Sequence, residues 1–386
     1  MNLEKIVIAP DSFKESMSAK EASEAIMRGF AKVYPVAHTD YTLIPMADGG
    51  EGTTEALSEA LQAERVTAEV HDPLMREIMS SYAYATDSQT AIIEMASASG
   101  LDLLTPEERN PARTSSYGTG ELIQDALDRG ATRIILGIGG SATNDGGVGM
   151  LRALGVRFLD DQHQPIKHGG VALADIQTID TAQLDSRLQQ VDITVACDVR
   201  NPLLGKDGAT YTYGRQKGAD DALLSQLEVA LAHYHSQIST HFSQDVKNIP
   251  GAGAAGGLGT ALLAFLHAEL TPGIEVVLQE TNFEHHVKDA DLVITGEGQM
   301  DYQSIYGKTP IGVAQVAQRH DVPVIAINGV LGDGYQAVYE HGIAAAFSML
   351  QRNVSLDTAL KNGPLNLEYT SENVARILNL SYNSNN

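Results

Sequence analysis

Cysteine is almost missing from this sequence. Among 386 residues there is one, Cys197, so no internal disulfide can form. That usage fits a reducing compartment. The opening MNLEKIVIAPDSFKES lacks the long apolar region and small-residue cleavage site of a secretory leader, so the expected location is cytoplasmic. No run of about 18 or more apolar residues occurs, which excludes a helical membrane span. Basic residues are scarce: 26 Lys and Arg face 49 Asp and Glu, a formal charge of −23. Such a field repels nucleic acid and anionic membrane surfaces, and neither is expected as a partner. It repels nucleotides and carboxylate substrates as well. An enzyme that handles anions on this chain therefore needs local lysines, backbone N–H groups or divalent cations. Cysteine and histidine show no zinc spacing.

What is present is an ordinary globular composition, 43% hydrophobic and 19% charged, at a length that favours two domains. KIVIA (5–9) and YTLIP (41–45) read as strands. Between them a helix is expected over 18–34, with Ser18 as N-cap, Glu21 closing a capping box, and Ala22, Ala25, Ile26 and Phe30 on one face. The same rhythm returns at DLVIT (291–295), VPVIAI (322–327) and AAAFSM (344–349), with helices between them. The middle differs. VTAEV, SSYAYA and TAIIEM read as short strands, followed by a helix at 116–129, the strand TRIILGI (132–138) and a long helix at 219–243. The expected fold class is α/β. A Rossmann-like parallel-sheet domain, 1–65 plus 288–386, carries a second, mixed α/β domain inserted at 66–287. A head-to-tail pair of domains is the alternative. The tail SYNSNN is expected to be disordered.

Of six glycine- and acid-rich segments, five follow apolar strands, where parallel α/β sheets bind ligands. In IAPDSFKES, Pro10 ends the strand. Asp11 and Ser12 are turn residues or substrate contacts, and Lys14 is a candidate for a carboxylate or phosphate. In PMADGGEGT, Asp48 is an N-cap or a base for a substrate hydroxyl, with Gly49 and Gly50 allowing close backbone approach. GIGGSATNDGGVGM (137–150) offers Gly139, Gly140, Ser141, Thr143 and Asn144 as phosphate donors and Asp145 as an Mg²⁺ ligand. Gly137, Gly139 and Ala142 also fit the loose dinucleotide pattern, although no helix pattern follows at once. ACDVRNPLLG supplies Asp198 and Asn201, suited to metal or hydroxyl binding, while Cys197 reads as a small core residue. Lys217, in QKGA, is an anion contact or an exposed side chain. PGAGAAGGLG (250–259) is an anion-binding helix start or a close-packing segment. In TGEGQMDYQSIYGKT, Tyr302 stands where a P-loop needs its first glycine, so that reading fails; Glu297, Asp301 and Lys308 remain candidates for metal and anion.

Together IAPDSFKES, PMADGGEGT, TSSYGTGELI, GGSATNDGGVGM, ACDVRNPLLG, QKGA, PGAGAAGGLG and GEGQMDYQSIYGK resemble glycerate kinase family 1, in family order along nearly the whole chain. The resemblance implies two α/β domains with a cleft between them and transfer of the γ-phosphoryl group of ATP to D-glycerate, giving 2- or 3-phosphoglycerate. In the expected mechanism the loop 139–145 and Lys308 contact the nucleotide, and Asp198, Glu297 or Asp301 holds Mg²⁺. Lys14, Asp11, Ser12 and the Asp48–Gly50 turn bind glycerate, and Asp48 or Asp198 deprotonates its hydroxyl. Glycerate and ATP are the expected small-molecule partners, and a homodimer is admitted. Two other classes stay open: an NAD(P)-dependent hydroxy-acid dehydrogenase, from the loose glycine pattern, and a non-catalytic sensor of glycerate or nucleotide.

Overall fold

The computed structural model describes residues 3–49 and 52–383. Eleven strands build its two main sheets. They are β1 (Lys5–Ile8), β2 (Asp40–Leu43), β3 (Glu64–His71), β4 (Glu77–Ala85), β5 (Thr90–Glu94), β6 (Arg133–Gly137), β7 (Asp192–Ala196), β8 (Glu269–Thr271), β9 (Leu292–Thr295), β10 (Val324–Asn328) and β11 (Ile343–Ser348). The chain divides into two compact units, Met1–Ala60 with Pro272–Asn386, and Leu61–Thr271. The expected α/β class, one parallel sheet and one mixed sheet, is what the two units show.

The unit boundaries fall at 60/61 and 271/272, against 65/66 and 287/288 in the sequence reading. β3 pairs with β4 along its whole length from Glu64, which draws its start into the second unit. The helix Gly273–Glu280 packs within the first, where a Cβ on Gly312 would lie 2.5 Å from Ile274 Cγ1.

In the first unit the sheet order is β11-β10-β9-β1-β2, all parallel. The order reverses between β1 and β9, and such a reversal opens a crevice beyond the carboxyl ends of the two strands. The first helix, Ala19–Ala31, starts as expected. The Ser18 hydroxyl accepts from the Glu21 N–H, and the Glu21 carboxylate accepts from the Ser18 N–H. Its buried face, Ala22, Ala25, Ile26 and Phe30, packs in one core with Ile6, Ile8, Ile294 and Ile327. The C-terminal helix Gly363–Asn383 lies against it so closely that a Cβ on Gly29 would stand 2.4 Å from the Glu368 carbonyl. The tail expected to be disordered is therefore helical through Asn383; residues 384–386 lie outside the described ones. No helix among the described residues is long and apolar enough to cross a membrane.

In the second unit the order is β8-β7-β6-β5-β4-β3, with β3-β4-β5 antiparallel and β5-β6-β7-β8 parallel. PGAGAAGGLG proves to be a packing segment. Ala255, Gly256 and Gly257 are consecutive left-handed residues, and all are buried. They press on the loop after β6: the Gly146 N–H donates to the Gly256 carbonyl, and a Cβ on Gly256 would lie 2.0 Å from the Thr143 carbonyl. Positive φ and a backbone clash coincide there, so Gly256→Ala should cost on the order of 3 kcal/mol. Urea denaturation checks this; a loss below about 1 kcal/mol would show that the loop can give way.

Candidate active site

The ladder between β1 and β9 runs on past the strand ends. Ala9 N–H donates to the Ile294 carbonyl, Asp11 N–H to the Gly296 carbonyl, and the Thr295 hydroxyl to the Ala9 carbonyl. This delivers Asp11 and Glu297 together at the sheet's reversal. Gly296 is required because a Cβ there would stand 1.9 Å from the Ile327 carbonyl. The Glu297 backbone is then held from both sides: its N–H donates to Asn328 Oδ1 at 3.2 Å, and its carbonyl accepts from Gly329 N–H.

Both carboxyls are buried, Asp11 at 9% and Glu297 at 7% exposure. Asp11 accepts from the Thr309 hydroxyl at 2.6 Å and from the Ser12 N–H at 2.6 Å. Glu297 accepts from the Ser304 hydroxyl at 2.6 Å, and its other oxygen lies 3.4 Å from Lys308 Nζ. Burial dominates in each. It raises Asp11 to about 6 against the Thr309 bond, with the negative charge of Asp48 adding to the rise. It raises Glu297 to about 7 against Ser304 and Lys308, with Asp11 adding to the rise. Two acids thus sit close enough to repel, with affinities for protons near neutrality, the range a general base needs.

Lys14 is exposed, and its backbone passes Gly298, whose Cβ would lie 3.6 Å from Lys14 N. With Ser12, Lys20, Pro45 and Glu55 it lines a cavity of about 320 Å³. Asp48 and Gly49 are half-buried beside the start of the helix Thr53–Leu61, and Gly49 N–H donates to Thr53 Oγ1. Gly50 and Glu51 lie outside the described residues.

In the second unit the loop after β6 has an open tip. Gly139 and Gly140 are exposed, and a Cβ on Gly139 would meet nothing within 4 Å. No helix follows at once; the next begins at Val148, so the dinucleotide pattern lacks its helix. Ser141 is buried at 6% exposure, and its hydroxyl accepts from Lys217 Nζ at 2.7 Å. Thr143 and Asn144 are fully buried, so they are not surface donors. Asp145 is no metal ligand either. One oxygen accepts from Ser116 N–H, Ser116 Oγ and Gly149 N–H, the other from Gly147 N–H. Asn201 is likewise engaged, donating to the Asp207 carbonyl and accepting from the Tyr213 hydroxyl.

A glycerate kinase family model matches residues 6–379. The chain belongs to the glycerate kinase family. It is 55% identical to a glycerate kinase of Halalkalibacterium halodurans over 96% of this chain and 97% of that one. It is 50% identical to a glycerate 2-kinase of Escherichia coli over 97% and 98%. A crystal structure from Salmonella typhimurium named as glycerate kinase 2 superposes with a TM-score of 0.90 at 48% identity, covering 99% of this chain and all of that one.

In this glycerate kinase family member the first unit gathers Asp11, Ser12, Glu297 and Lys308 with Asp48 nearby. Asp301 instead caps a turn, accepting from Gln303 N–H at 2.8 Å and Gln299 Nε2 at 3.0 Å. Asp198 is exposed just beyond β7, and Cys197 beside it has a thiol pushed up by burial, which keeps it protonated and inert. The sequence reading passed over Ser304 and Thr309. Both stand in YQSIYGKTP, and Pro310 at the first turn of the helix Thr309–Gln318 marks Thr309 as a helix-start hydroxyl.

Glu297 has a raised pKa in the fold, so its stability contribution is fully present below its unfolded value of about 4.5 and is lost as pH rises towards 7. Glu297→Gln should therefore flatten the stability difference between pH 5 and pH 8 by on the order of 2 kcal/mol. Urea titrations at the two pH values measure this, and an unchanged difference would show that Glu297 is ionised in the fold at pH 5.

Proposed function

We propose that this chain phosphorylates D-glycerate with ATP and Mg²⁺, giving 2-phosphoglycerate. The observation that carries the reading is the match, end to end and near half identity, to proteins named glycerate kinases; the 2-position follows the relative named glycerate 2-kinase. The arrangement of the first unit supports it. Phosphoryl transfer asks for in-line positioning and charge neutralisation more than for covalent help. Lys14 and Ser12, on the wall of the cavity after β1, suit the carboxylate of a small hydroxy acid. Glu297, with Asp11 beside it, suits the role of accepting the hydroxyl proton.

This assigns deprotonation to Glu297 rather than to Asp48 or Asp198. A carboxyl that holds its proton near pH 7 is a poor metal ligand, because coordination needs the ionised form. The open tip Gly139–Gly140 and the Ser141 hydroxyl suit nucleotide phosphates. Among the described residues no group of three or more His, Cys, Asp and Glu is arranged to hold a metal. Mg²⁺ fits nonetheless as the companion of ATP, since it takes one or two carboxylates and leaves its other positions to phosphates and water. Asp198 is the exposed carboxylate best suited to it. When bound, the ion supplies charge neutralisation on the transferring group.

A coupled assay of ADP release should show turnover that requires both D-glycerate and Mg²⁺, and ³¹P NMR of the product should show the phosphate on the 2-hydroxyl. Folded protein without glycerate-dependent turnover would defeat the reading; a 3-phosphate would correct its regiochemistry. Glu297→Gln should lower kcat by about 10²–10⁴-fold with the fold intact. A loss below about tenfold would return the base to Asp48 or Asp198.

A further inference from the structure

Lys217 is the one lysine among the largest fully buried side chains, at 1% exposure. Its ammonium donates to Ser141 Oγ at 2.7 Å and to the Thr143 carbonyl at 2.6 Å. No carboxylate forms an ion pair with it among the described residues. Beside these partners Thr143 Oγ1 and Asn144 Oδ1 are buried with no hydrogen-bond partner. Charged side chains on the elements around it are Asp145 on the loop, Glu107, Glu108, Arg109 and Arg113 on the segment that packs under Gly218, and Arg215 and Asp220 on its own segment. Of these, Asp145 is the one that acts on the ammonium, and it already accepts from four donors. A cation kept out of water without its own counter-ion is costly for stability, so a purely structural role explains it poorly.

We propose that Lys217 is a positioning residue that turns the Gly139–Ser141 tip into an anion site, its ammonium completed by the phosphates of the nucleotide. The proposal rests on the reading that this loop receives those phosphates. The geometry does two things. With the ammonium donating to one lone pair of Ser141, the hydroxyl hydrogen is left to donate outward, to a ligand at the open tip. Once protonated, the amine also places a positive charge beneath that tip, where the chain as a whole is strongly negative. Burial holds Lys217 down to about 7, so in the ligand-free protein at pH 8 it is mostly neutral. An anion arriving above it restores the charged form, and binding then draws in a proton.

The experiment is calorimetric titration of the full chain with MgADP at pH 8, in buffers of different ionisation enthalpy. At that pH the nucleotide phosphates are already ionised. Wild type should take up roughly one proton per nucleotide bound. Lys217→Met should lose that uptake and bind MgADP about tenfold more weakly, with KM for glycerate unchanged. Ser141→Ala should weaken MgADP similarly, and the double variant should be no weaker than Lys217→Met alone, because the two act as one unit. Binding without proton uptake by wild type would overturn the proposal even if Lys217→Met failed to fold. Additive losses in the double variant would also overturn it. No MgADP binding by folded wild type would instead remove the nucleotide reading of the loop, and this inference with it.

Discussion

Burying an ionisable group without a full counter-charge is the constraint on which the rest of this architecture depends. The chain does so in each unit. In the first, Asp11 and Glu297 are brought together by the β1–β9 ladder, which continues beyond the strands and leaves neither side chain free to swing into water. The cost is met by hydroxyls from Thr309 and Ser304 and by one ammonium at 3.4 Å, Lys308. Neutral donors and a partly exposed lysine offset desolvation only in part. The remainder is a standing affinity for protons, which is what deprotonation of an alcohol requires near neutral pH.

The glycines are the steric counterpart of that electrostatic choice. Gly296 admits the β10 carbonyl of Ile327, and Gly329 admits the Gly298 carbonyl, where its Cβ would stand 2.2 Å away. Gly273 meets the Asp48–Gly49 turn, where a Cβ would fall 2.2 Å from Gly49 Cα. The richest glycine run, at 251–259, is buried throughout; it lets the chain press on the loop after β6. Glycine density alone therefore does not separate a ligand loop from a packing seam. Exposure does: Gly139 and Gly140 face outward, whereas Gly256 and Gly257 do not.

That distinction explains how far the sequence could be read. The α/β class, the capped first helix and the strand ends were legible because period-2 and period-3.6 patterns and the capping box report on local structure. Asp11, Glu297 and Lys308 were legible as candidates because each follows an apolar strand or a glycine. Their grouping was not, since Asp11 and Glu297 are 286 residues apart and are joined by sheet order alone. Burial overturns several readings: Lys217 as an exposed side chain, Thr143 and Asn144 as surface donors to a ligand, and Asp145 as a metal ligand. Each lies in the interior, and a polar residue in a glycine loop gives no local sign of which way it faces. Asp301 misled for a related reason, because a carboxylate that caps its own turn has the same sequence signature as one that waits for a cation.

An acidic protein that handles acidic ligands must reverse its own field locally, and the placement of lysine shows how. A surface lysine would be screened by salt within about 8–10 Å and shared among many neighbouring carboxylates. A lysine placed under a backbone tip, as Lys217 is, acts when protonated through low-dielectric surroundings and a single hydroxyl, so its charge would be felt where the loop is open. A P-loop reaches the same end with a lysine that extends over the phosphates from its own glycine wrap. Here the sequence near-match to that motif fails at Tyr302, an exposed side chain, and in the proposed arrangement the cation is held from below instead. The negative surface then ceases to be an obstacle. On that proposal it would disfavour anions except where a buried or strand-end lysine outweighs it, and so would sharpen where they bind.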